Sequence, residues 1–132
     1  MSHADEEKRH ARDVLAELRG IEADIESLVE AVGDTRHFSP ERTEELRGAL
    51  KLLKERLQRG AATGTASGDR RVPSRVEATF FQPAVSKASA FIGLRTNSRP
   101  GPEWMDKLYG ISVDIGHAAA DLQQWIDDSE NE

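Results

Sequence analysis

Cysteine is absent from this 132-residue chain, so disulfide scaffolds, thiol nucleophiles and cysteine-ligated zinc sites are excluded from the outset. Aromatic side chains are scarce, at 5 %, which leaves few platforms for stacking bases or sugars. No apolar run approaches the ~18 residues of a membrane span, and no membrane partner is expected. The opening residues MSHADEEKRH are charged, unlike a secretory leader, so the expected location is the cytoplasm. Catalytic signatures are missing too. There is no Gly-x-Ser-x-Gly elbow, no His-Glu-x-x-His, and no Gly-Lys-Ser/Thr after the glycines of residues 60–68. The Arg-x(4–6)-His spacing of some small helical ribonucleases is also lacking.

What is present is helical periodicity. Ala11, Val14, Leu18, Ile21, Ile25, Leu28 and Val32 recur at alternating steps of three and four, the pattern of a single apolar stripe on a helix. A second helix announces its start with Ser39-Pro40, a capping side chain followed by a residue that lacks an N–H to satisfy. Leu46, Leu50, Leu53 and Leu57 form its stripe, and Gly60 reads as its end. The run GAATGTASG then holds only small residues, which reads as a flexible linker. A third helix opens at Pro73, with Val76, Phe80, Ala84, Ala88 and Phe91 inward and a kink or restart at Pro83. The fourth opens at Pro102, with Trp104, Leu108, Ile111, Ile115, Ala118, Leu122 and Trp125 inward.

These elements predict an all-α fold: an antiparallel four-helix bundle forming one domain over 1–132. It divides into a helical hairpin at 4–60, a flexible Gly/Ala/Ser/Thr linker at 61–72 and a second hairpin at 73–128. The linker is long enough for the second hairpin to pack on its own chain or on another copy.

Charge is unevenly distributed. Residues 1–34 carry four basic and ten acidic side chains and residues 101–132 one and eight, whereas 35–60 carry seven and four and 61–100 six and two. A simple up-down bundle sets the two acidic helices side by side. That gives one acidic and one basic face within a net charge of −6. The basic face offers Arg47, Lys51, Lys54, Arg70, Arg71 and Arg75 as phosphate contacts. Adjacent Phe80 and Phe81 cannot both face one core. Phe81 is therefore the expected contact outside the stripe, with Trp104 and Trp125 as further interface candidates.

One segment raises a chemical question. In SVDIGHAAAD, Asp114, His117 and Asp121 share helical spacing, but a metal or acid–base site needs ligands from more than one element. The expectation is a solvated carboxylate–imidazole pair, with no catalytic, metal or cofactor residues. The resulting functional expectation is a non-enzymatic interaction module: a regulator, an immunity-like inhibitor or a small subunit of a bacterial complex. Its partner would be another protein or a second copy. The alternatives are a nucleic-acid contact through the basic middle helices and an enzyme built on Asp114 and His117.

Overall fold

The computed structural model describes residues 3–131, which form four helices and, among the described residues, no strand. Helix α1 runs His3–Asp34 and buries its whole predicted stripe from Ala11 to Val32. Thr35 ends it by turning its hydroxyl back to the Ala31 carbonyl at 2.6 Å. Helix α2 (Pro40–Thr63) starts as its sequence requires. Ser39 is extended and its hydroxyl accepts the Arg42 N–H at 3.1 Å, satisfying one of the free donors of the first turn.

Two sequence expectations about α2 need correction. The helix does not stop at Gly60 but continues three residues into the expected linker, ending at Gly64 with φ 69°. Gly60 is instead buried where α2 and the third helix touch. A Cβ there would lie 2.9 Å from Val85 Cγ1, so the missing side chain permits close approach rather than marking a stop. Beyond Gly64 the segment is held, because Thr65 is buried and its hydroxyl reaches the Asp69 carbonyl at 2.9 Å.

The third helical segment departs from regular periodicity. Residues Glu77–Phe81 form a π turn, closed by the Gln82 N–H on the Glu77 carbonyl, and lead without a break into α3 (Gln82–Ile92). Pro83 therefore sits in the first turn of α3, where its lack of an N–H is accommodated by the widened turn before it. A π turn advances the inward face by five residues instead of four. Val76 is followed inward by Phe81, Val85, Ala88 and Ile92, one position later than Phe80, Ala84 and Phe91. Helix α4 (Pro102–Glu130) buries Trp104, Leu108, Ile111, Ile115, Ala119, Leu122 and Ile126. Its last turns thus present Ala119 and Ile126 rather than the expected Ala118 and Trp125.

α1 packs on α4, α2 on α3, α3 on α4, and α1 more thinly on α2. Along α1 and α4, Arg12 pairs with Glu130, Glu22 covers Gly116, and Gly33 lies against Met105. The same descending order joins α2 to the chain after the π turn: Gly60 meets Phe81, Lys54 donates to the Leu94 carbonyl, and Arg47 to the Ser98 carbonyl at 3.2 Å. All the buried apolar residues belong to one core cluster, which runs from Ala11 to Ile126.

Candidate functional site

Where α1 and α2 meet, small side chains (Ser27, Ala31 and Ala49) leave a groove of about 570 Å³ floored by Leu28, Leu46 and Leu53. An arginine of α2 crosses toward α1 at each end. Arg42 donates to Thr35 Oγ1 at 3.1 Å and to the Ala31 carbonyl at 3.4 Å. Arg56 reaches Glu17 Oε1 at 2.9 Å and Asp24 Oδ2 at 2.5 Å. Partial burial works against the Arg56 charge, but Glu17 and then Asp24 outweigh it and raise its pKa above the ordinary guanidinium value. Between these clasps Leu52 projects from α2 with 69 % of its surface exposed, although every other leucine of the helix is buried. The groove is an apolar slot bordered by charge.

A second cluster lies where the start of α1, the segment after α2 and the π turn converge. Glu77 is 0 % exposed. Its Oε2 accepts the Ala66 N–H at 2.5 Å and Arg71 Nη2 at 3.3 Å. Its Oε1 accepts the Ser74 N–H at 3.2 Å and lies 3.1 Å from Arg71 Nη1 and 3.2 Å from His10 Nε2. A carboxylate only accepts, so that imidazole nitrogen carries a hydrogen, which also faces Ser74 Oγ at 2.9 Å. Ser74 Oγ in turn accepts the Glu77 N–H at 3.1 Å, completing a reciprocal capping box at the start of the third helix. Burial pushes the Glu77 pKa up, but the Ala66 and Ser74 N–H groups, Arg71 and His10 outweigh it and hold the carboxyl below its ordinary value. Both carboxylate oxygens are thus engaged by partners within the chain. The cluster pins the chain after α2 to the rest of the molecule.

The residues singled out by sequence fall in different places. Phe81, expected outside the stripe, is 1 % exposed, because the π turn rotates it inward. Phe80 is the half-buried partner, tilted against Trp125 with ring centroids 6.3 Å apart. Trp104 is wholly buried, its Nε1 donating to Ser98 Oγ at 2.8 Å. Of the six basic candidates, Arg47 serves Ser98 and Glu44, Lys54 the Leu94 carbonyl, and Arg71 the buried Glu77. Lys51, Arg70 and Arg75 remain exposed. Asp114 pairs with Lys87 of α3 at 3.3 Å, while His117 and Asp121 face water. No group of three or more metal-ligating side chains occurs among the described residues. Sequence reasoning missed Glu77 and the groove. The Ser74-x-x-Glu77 spacing signalled the former, whereas the latter depends on how far two helices stand apart.

No family model, curated protein or solved structure matches this chain.

Proposed function

We propose that this chain is an antiparallel four-helix bundle of two hairpins that acts without catalysis, as a protein–protein interaction module. It is a regulator, an inhibitor or a small subunit of a larger assembly. The observation that carries this reading is the pairing of like with like: acidic α1 packs beside acidic α4, while the excess of basic side chains lies on α2 and on the segments flanking α3. Carboxylates such as Glu26 and Glu30 are exposed on α1, and the resulting negative face attracts a basic partner and sets its orientation. The occupied oxygens of Glu77 and the pairing of Asp114 with Lys87 both favour binding over chemistry. A phosphate-binding role is weakened because Arg47, Lys54 and Arg71 are engaged within the chain.

The test is the native mass of the tagged protein purified gently from its own cells, alongside two charge-reversed variants. The expected result is a stoichiometric second polypeptide that is lost on Glu26→Lys/Glu30→Lys and retained on Lys51→Glu/Arg75→Glu. Loss through the second variant only, with nucleic acid bound, would replace this reading with a phosphate-binding one. A species indifferent to both reversals would overturn it.

A further inference from the structure

We propose that α2 mediates self-association: the ridge Glu45, Leu52 and Arg59 packs antiparallel against the same ridge of a second copy. Leu52 of each copy sits beside the α1–α2 groove of the other. This contact uses neither α4 nor the outer side of α1, so it stands or falls separately from the acidic face.

Three observations converge on it. Glu45, Leu52 and Arg59 are seven residues apart, two helical turns, so they share one line along the helix over ~21 Å. Glu45 is 66 % exposed and its carboxylate also pairs with Arg42 at 2.9 Å, leaving its outer side open, whereas the exposed Arg59 guanidinium meets no acid among the described residues. Opposite charges thus stand equidistant from an exposed apolar centre.

A twofold axis through Leu52 requires each contact to occur twice with the roles exchanged. Antiparallel pairing then sets Glu45 against the second copy's Arg59 at both ends. Parallel pairing would set Glu45 against Glu45 and Arg59 against Arg59. The charges therefore fix the direction as well as the register.

The surface also supplies its own socket. Ala49 and Gly48 lie one turn before Leu52, and the space around a Cβ at Gly48 is empty. Beside them is the hollow lined by Leu28, Ala31 and Leu53. Projection and recess lie on the same patch, which is the requirement for an isologous contact. A groove meant for an unrelated helix would not need a leucine projecting from its own wall.

Sedimentation equilibrium of the full chain at low salt should give about twice the 14.6 kDa chain mass. Glu45→Arg alone or Arg59→Glu alone should weaken association about ten-fold or more, because each introduces two like-charge contacts. The double swap should restore it, since the new pairs are again opposite. That rescue separates a lost contact from a misfolded chain, and helix content by circular dichroism should be equal in all four proteins. The absence of native cysteine allows a second readout. Leu52→Cys should oxidise to a covalent dimer, whereas Val113→Cys on the exposed side of α4 should not. A wild-type monomer at every concentration, a dimer insensitive to the swaps, or equal crosslinking at position 113 would each overturn the proposal.

Discussion

Glu77 shows how much one side chain can carry. A carboxylate removed from water is tolerated only when donors replace its hydration, and here two backbone N–H groups, an arginine and a histidine do so. Replacing it with Gln keeps the shape but turns an amide NH₂ toward those donors. We expect Glu77→Gln to cost about 2–4 kcal/mol in urea unfolding near neutral pH. The pH dependence follows from the lowered pKa. As pH falls below the ordinary value of 4.5, the unfolded chain takes up a proton while the folded carboxyl still resists it. The Glu77 contribution is therefore complete above that pH and disappears as pH drops through the folded value. Between neutral pH and about pH 3.5 the difference in stability between wild type and Glu77→Gln should shrink. A constant difference would show that the carboxylate charge is not what holds the cluster. The capping half of this cluster was readable as Ser74-x-x-Glu77. The approach of His10, 67 residues away, leaves no trace in local spacing.

At the scale of the element, periodicity was a faithful guide wherever the helix kept 3.6 residues per turn. The stripes of α1 and α2 fall where counting by threes and fours puts them. In α4 the step from Ile115 to Leu122 can be divided at Ala118 or Ala119, two identical residues, so only packing decides. In the third segment the π turn inserts one extra residue, so Phe81, Val85 and Ile92 face inward in place of Phe80, Ala84 and Phe91, while Ala88 keeps its expected place. This register makes a direct prediction about neighbouring phenylalanines. Phe81→Ala empties a fully buried site and should cost about 3–5 kcal/mol, whereas Phe80→Ala removes a partly buried ring at the edge of the core and should cost less, about 1–2 kcal/mol. Equal losses in urea unfolding would mean that the turn is α rather than π. Gly60→Ala tests the helix contact beside it. Its Cβ would press on Val85 and Phe81, so a loss of about 1–3 kcal/mol is expected despite the better helix propensity of alanine.

Across the whole molecule, the partition of contacts decides what a break in the chain would do. Cleavage after Arg70 separates α1 and α2 from α3 and α4, yet α1 packs chiefly on α4, and α2 chiefly on α3. Most of the buried surface therefore lies between the two fragments rather than within either. Of the ion pairs between helices, Arg12 with Glu130 joins the two fragments, whereas Lys87 with Asp114 and Arg56 with Glu17 each tie helices within one fragment. Composition alone suggested that residues 61–72 were a free linker, because small side chains bury little area. What that argument could not include is the backbone: the Ala66 N–H finds a buried carboxylate, and Arg71 finds the same one. Trypsin should consequently cut this segment slowly in the native protein and faster in Glu77→Gln, where the pin is weakened. Once cut, the two fragments should still co-migrate with the uncut protein under native conditions and separate only in urea. Fragments that part without denaturant would show that each hairpin is held together mainly by its own contacts, and that the linker is what keeps the four helices together.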